Sequence, residues 1–425
     1  MTDTIPAPAP APAPTPASEH QPSRSSEVLR DIMSGGIVRT LLAIVLAFAA
    51  GSILIIVTNP EVIEAAGYFF SRPMDTIVAA WDAVVNAYSA LFRGSIYNYE
   101  ANSVAAAFRP LTETLRFSGP LIAAGLGIAL SFRAGMFNIG GTGQLLIGAV
   151  FAAWASFQLH LPYGLHLLVA IIFGLIGGAL WASIVGFLKA QTGAHEVIVT
   201  IMLNYIAISL VTYLMRTDIL HDPESGNNPT TRPPDVTAQF PKILGDQFDL
   251  HLGFILCLIA VVVYWWLMER STVGFRMRAV GLNPEAAGAA GINVKRIYVT
   301  AMVLSGLFVA LAGVNQALGR TGSFSPSIDS GIGFDAITVA LLGGSSAGGV
   351  LLAGLLFGAM KAGGPAMQVA EVPPEILVVI QALIVLFVAA PPLIRAVFRL
   401  PAPRKIDTSR TKAKRELQQA EKGSI

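Results

Sequence analysis

Residues 271–296, STVGFRMRAVGLNPEAAGAAGINVKR, lie between two apolar runs at 252–268 and 297–318. Each flanking run approaches the ~20 apolar residues that a helix needs to cross a bilayer, so the segment predicts a polar loop joining two membrane spans. Within it, Asn283-Pro284-Glu285-Ala286-Ala287-Gly288-Ala289-Ala290-Gly291 carries the signals of a short helix. Asn283 stands as N-cap, Pro284 at the first helical position, Glu285 in the first turn and Gly291 past the end. Nearly all its side chains are small, so the backbone of another protein could approach closely. Two readings stay open: a docking element, or an ordinary polar loop with a helical turn in it, because capping signals mark helices and not functions.

The rest of the chain supports the membrane reading. It has 54% hydrophobic and 13% charged residues with a mean hydropathy of +0.64, against the roughly 25% charged residues of soluble domains. The single cysteine, Cys257, excludes an internal disulfide framework and any CxxC motif. Basic residues crowd the segment above and the C-terminal tail (Arg395, Arg399, Arg404, Lys405, Arg410, Lys412, Lys414, Arg415). Their position beside membrane spans, without interleaved aromatics, assigns them to membrane orientation and not to nucleic acid.

Working outward, eight windows suit a crossing: 37–57, 111–132, 143–160, 164–188, 197–215, 252–268, 297–318 and 375–396. Arg24, Arg30 and Arg39 hold the N-terminus in the cytoplasm, which puts the Asp- and Pro-rich loop 216–250 outside and the basic loop 269–296 inside. Residues 335–361 are broken by Gly343, Gly344, Gly348 and Gly349 into two pieces read as too short to span singly, hence a re-entrant pair, which returns the basic tail to the cytoplasm. The fold class is therefore an all-α polytopic membrane protein with eight full transmembrane helices plus a re-entrant pair, about ten membrane segments, and both termini cytoplasmic. Residues 74–92, with Asp75, Asp82 and Asn86 along one side, are expected to lie along the outer interface. Three regions result: a Pro/Ala-rich, disordered tail (1–36), a transmembrane domain (37–396) and a basic cytoplasmic tail (397–425). Gly174 with Gly178, and Gly354 with Gly358, have the spacing of close helix contacts.

The chain offers little covalent chemistry. HEVIV at 195–199 has Val199 where a zinc-protease motif needs its second His, and no lysine follows a glycine, so there is no phosphate-binding P-loop. Any ATP that drives transport must be hydrolysed by another chain. Glu196, Thr200 and Asn204 form a polar stripe on one helix face. Such residues face protein or water. They are read as lining a pathway, or as a helix-end cap (Glu196) and an interhelical hydrogen bond (Asn204). Asn315 and Gln316 are weaker candidates of the same kind. Residues 137–144, FNIGGTGQ, break the helix and could expose backbone to a cavity or form a tight turn, with Asn138 and Gln144 as the polar side chains. Asp335 is expected to N-cap the helix after it.

Taken together, FRAGMFNIGGTGQLLIGA (132–149), GAHEVIVTIMLNYIA (193–207), TVGFRMRAVGLNPEAAGAAGI (272–292) and GFDAITVALLGGSSAGGVLLAGLLFG (333–358) resemble the permease family of ABC importers for ribose, branched-chain amino acids and nucleosides. The resemblance runs from about residue 37 to 396, and is nearest to the nucleoside-type permeases. This chain has Thr142 where that branch often carries Glu, and His195 where it often carries Asn. The resemblance implies a multi-pass permease of a bacterial inner membrane, not itself an enzyme. It implies as partners an ABC ATPase, a second permease chain and an extracytoplasmic binding protein or lipoprotein, with ATP and Mg on the ATPase and no cofactor on this chain. Residues Asn283, Pro284, Glu285, Ala286, Ala287, Gly288 and Gly291 would then be the coupling helix, and Asn138, Gln144, Glu196, Thr200, Asn204 and Gln316 the pathway. Simple sugars or branched-chain amino acids are the alternative cargo. An ion-coupled secondary transporter is the alternative of another class, and would need buried carboxylates in this chain, of which Glu196 is the strongest.

Overall fold

In hydrocarbon each backbone N–H and C=O must be satisfied without water, and long apolar runs achieve this as helices. The computed structural model describes residues 36–319, 322–390 and 397–398. Among them the regular structure is helical, with isolated bridges pairing His221 with Thr231 and Lys242 with His251. The helices are α1 (Gly36–Thr58), α2 (Pro60–Ala66), α3 (Pro73–Ser95), α4 (Val104–Arg133), α5 (Gly141–Gln158), α6 (Leu165–Thr192), α7 (Glu196–Leu214), α8 (Gly253–Arg270), α9 (Thr272–Leu282), α10 (Pro284–Ala289), α11 (Val294–Leu318), α12 (Ile332–Leu342), α13 (Ala347–Val369) and α14 (Pro374–Ala389). One compact unit comprises Ala43–Ala389. The flanking unit, 1–42 and 390–425, is described only at 36–42, Ala390 and 397–398. The tails read from sequence thus lie almost wholly outside the described residues.

Seven of the described helices are long and apolar enough to cross a membrane: Thr40–Thr58 of α1, then α4, α6, α7, α8, α11 and α13. Two of the eight windows do not reach that standard. Window 143–160 is α5, whose first turn carries Gln144, and window 375–396 is the shorter α14, with 391–396 outside the described residues.

The expectation of two short pieces at 335–361 is corrected. α12 has 11 residues, but α13 has 23 and runs on to Val369 through an internal Pro365. Lys361 lies within it, and its ammonium pairs with Asp335 of α12 at 2.8 Å. The chain reverses between them at Gly343–Ser346, beside Tyr264, whose hydroxyl donates to the Ser345 carbonyl at 2.8 Å. Tyr264 lies six residues before the end of α8, so the reversal sits beside α8 roughly 9 Å of helix rise short of its end, with Gly344 and Ser346 exposed.

α4 and α11 form the centre, with α4 buried continuously from Ser118 to Ser131. Close approach depends on glycines at the predicted spacing. A Cβ on Gly178 would fall 2.4 Å from the Ala310 Cβ, and one on Gly358 would fall 2.0 Å from the Ser118 Oγ. α3 packs its C-terminal end on α13, with Gly94 against Gly363 and Ala366.

Candidate functional site

α4 stops where Gly135 takes a φ of 76°. The N–H of Gly135 donates to Phe132 O at 3.0 Å and that of Met136 to Ser131 O at 2.9 Å, a Schellman ending that satisfies the last carbonyls. Residues 134–140 then cross to α5 outside any helix. A backbone group buried away from water without a partner costs free energy comparable to a lost hydrogen bond, so side chains take the place of the missing ladder.

The stripe on α7 supplies them. Asn204 Oδ1 accepts from Gly143 N at 2.8 Å while its Nδ2 donates to Ile139 O at 2.9 Å. Thr200 Oγ1 accepts from Ile139 N at 3.4 Å, and Glu196 Oε1 from Phe137 N at 3.5 Å. The other Glu196 oxygen accepts from Lys189 Nζ at 2.7 Å, so the carboxylate is paired. Asn138 is fully buried. Its Oδ1 accepts from Gly140 N at 2.8 Å, and its Nδ2 donates to Ser305 Oγ at 2.9 Å and to Gln144 Oε1 at 3.2 Å. Gln144 Nε2 donates back to Asn138 Oδ1 at 3.1 Å, and Ser305 Oγ donates to Gly127 O at 2.7 Å. The structure thus brings Asn138, Gln144, Glu196, Thr200 and Asn204 into one strap around the helix break. Each uses its polar atoms on protein groups.

Gln316 is not part of it. Its Nε2 donates to Ile328 O at 3.3 Å in the link between α11 and α12, and Asn315 donates to Cys257 Sγ at 3.4 Å. In that link Asp329 accepts from Gly331 N at 3.1 Å, Gly333 N at 2.9 Å and Thr142 Oγ1 at 3.4 Å. The cap expected at Asp335 is therefore corrected: Gly331 is the N-cap residue of α12, Asp329 reaches the first N–H groups, and Asp335 sits in the first turn. Ser305, Lys189, Asp329 and Lys361 were not singled out by sequence. Ser305 and Lys361 find partners distant in the chain, Asp329 bonds both its own turn and Thr142, and Lys189 meets Glu196 across the short link between α6 and α7.

A third region, at the start of α8, holds His251. Burial, then the Arg116 charge, lowers its pKa to about 4. Its Nδ1 has no hydrogen-bond partner, and its ring stacks on Phe240 with an interplanar angle of 9°.

The 271–296 segment holds two helices where one was expected. α10 forms as read: Asn283 Oδ1 accepts from Ala286 N at 3.0 Å, Pro284 opens the helix and Gly291 follows it at a φ of 85°. α9 was missed because Gly274, Gly281 and its basic residues break an apolar pattern; its N-cap Ser271 Oγ accepts from Gly274 N at 3.0 Å. Between α9, α10 and the start of α11 lies a groove of about 770 Å³, lined by Phe275, Leu282, Ile292, Arg276 and Arg296 among others. Leu282 is 88% exposed, and a Cβ on Gly288 would approach nothing nearer than 3.9 Å. This is an open surface of small and apolar groups with a cationic rim.

Residues 111–389 match the family described as the branched-chain amino acid transport system permease component. The chain belongs to this permease family. It is 37% identical to the guanosine ABC transporter permease protein NupP of Bacillus subtilis over 364 residues, covering 84% of this chain and 94% of the relative. It is 36% identical to the nucleoside ABC transporter permease protein NupB of Lactococcus lactis, covering 75% and 90%. It is 37% identical to the glucose ABC transporter permease protein TsgB13 of Haloferax volcanii, covering 65% and 75%. No solved structure matches. As an ABC permease the chain is a multi-pass inner-membrane transport component and not an enzyme, and the family implies ATPase, second-permease and substrate-binding partners in general.

Proposed function

We propose that this chain is the permease of a nucleoside importer, powered by an ABC ATPase that docks on residues 283–291. The observation that carries the cargo is the identity to NupP, which extends over nearly the whole relative. Glucose is the second reading, supported by the equal identity to TsgB13 over a smaller share of both chains.

Docking is supported by the build of α10. A rigid, capped helix of small residues beside an exposed Leu282 can wedge into a partner and move as a unit. The secondary-transporter reading loses its best support because Glu196 is paired with Lys189 and bonded to the helix break. In the proposed topology α12 enters from the outer side and reverses at Gly343–Ser346, and α13 returns. With α5 and α14 counted as crossings this makes about ten membrane segments, with both termini and α10 cytoplasmic. The pathway runs between this chain and a second permease, fed by an extracytoplasmic binding protein. Asn138, Gln144, Glu196, Thr200 and Asn204 hold the helix break that borders it, and Gln316 holds the entrance of α12. The pairing of these groups makes their role in transport one of shaping the path more than of binding solute directly.

The test is uptake of labelled guanosine by cells lacking this chain and by cells in which it is restored. Restored uptake that other nucleosides compete away and glucose or leucine leave unchanged supports the proposal. Competition by glucose alone replaces it with the sugar reading.

A further inference from the structure

The last turn of α9 has no room for a side chain at Gly281. A Cβ there would fall 2.3 Å from the Arg133 carbonyl oxygen and 2.9 Å from Gly135 N. The contact is mutual, since a Cβ on Gly135 would lie 2.9 Å from the Gly281 Cα, and Gly135 already needs its positive φ to end α4. A second link crosses the same junction. Glu269, in the last turn of α8, accepts from Arg133 Nη2 with one carboxylate oxygen and from Arg278 Nη1 of α9 at 2.8 Å with the other. The opposite end of α9 is equally tight, because a Cβ on Gly274 would fall 2.1 Å from Leu267 O. α9 is thus seated on the ends of both α8 and α4, and α10 follows it after the single residue Asn283.

What lies on the other side of the contact is the helix break. Asn138 is three residues beyond Gly135, too short a distance for a slack loop. It is locked in turn to Ser305 of α11 and Gln144 of α5. We infer that the Gly135–Gly281 contact, oriented by the Glu269 fork, is the joint through which movement of α10 reaches the helix break at 134–140. This rests on the reading of α10 as the ATPase-docking helix. Backbone in contact with backbone cannot compress, so a displacement of α9 must move Arg133–Gly135 or break the contact. The fork is partly exposed, which makes it a guide for the joint and not its main support.

The experiment uses the complete importer carrying Gly281→Val, Glu269→Ala or, as reference, Gly288→Trp. Uptake, ATP hydrolysis with and without loaded binding protein, and the amount of ATPase that copurifies are measured for each. Gly281→Val is expected to keep its ATPase and its basal hydrolysis while uptake per ATP falls roughly tenfold, within the usual range of coupling between sites. Glu269→Ala, which adds no bulk, is expected to lower the same ratio by about threefold, in keeping with a guiding ion pair. An unchanged uptake-to-hydrolysis ratio in Glu269→Ala overturns the joint, including the case in which Gly281→Val fails to fold. Loss of bound ATPase in either variant also overturns it, because the contact then serves only to hold the docking surface. If Gly288→Trp leaves uptake intact, the docking reading itself fails. If Gly288→Trp blocks uptake and Gly281→Val does not, the joint alone fails.

Discussion

The helix break at 134–140 and the segment at 271–296, proposed above to dock the ATPase, are both interruptions between long helices, and they solve that problem in opposite ways. The break buries Ala134, Met136, Asn138 and Gly140 while Gly135 and Phe137 stay exposed, and its backbone groups are met by side chains from α7 and α11. The docking segment makes its own helices, caps them with Ser271 and Asn283, and leaves a groove and Leu282 open. Irregular backbone inside a bundle survives only if neighbours satisfy it, whereas at the surface local capping is enough. Hence the break is held by side chains of the bundle, whereas α9 seats the other segment on α4 and α8 and leaves the face of α10 and Leu282 open.

That contrast can be broken most directly at Asn204. Asn204→Leu strands both Gly143 N and Ile139 O, and is expected to cost several kcal/mol, seen as loss of folded protein in detergent and of uptake together. Gly288→Trp should do the reverse, lowering uptake about tenfold, a loss of coupling of ordinary size, while thermal unfolding stays unchanged. A fall in unfolding temperature there would show that the docking segment is also structural. Lys189→Met leaves Glu196 unpaired and should destabilise by about 2 kcal/mol, less than a fully buried break because both side chains keep some water. Lys189→Met/Glu196→Gln should recover part of it, and a double variant no better than the single would remove the pairing argument. The last effect lies outside both regions and shows only at acid pH. The lowered pKa of His251 means that its stabilising neutral form is complete above the unfolded value of 6.5 and is lost as pH falls toward about 4. His251→Gln should flatten that part of the unfolding-temperature profile, and an unaltered slope would assign the acid sensitivity elsewhere.

The sequence made α10 legible because capping is local: Asn, Pro, Glu and Gly at fixed offsets say where a short helix begins and ends. The helix break was legible in the same way, through its glycines. The stripe Glu196, Thr200, Asn204 was visible as a spacing, but its partners 59 to 65 residues away were not, so pathway lining and hydrogen bonding could not be separated there. Asp335 looked like a cap because it precedes an apolar run; a turn at 329–331 lets Asp329 take that place, and Lys361 claims Asp335. The glycines at 343–349 were legible as a break between α12 and α13, but not that α13 continues past Lys361 to Val369.

The most direct measurement is guanosine accumulation in proteoliposomes holding this chain with its second permease, ATPase and binding protein. The account predicts accumulation only when hydrolysable ATP reaches the face that carries α10. Equal accumulation without ATP, driven by an ion gradient, would contradict it.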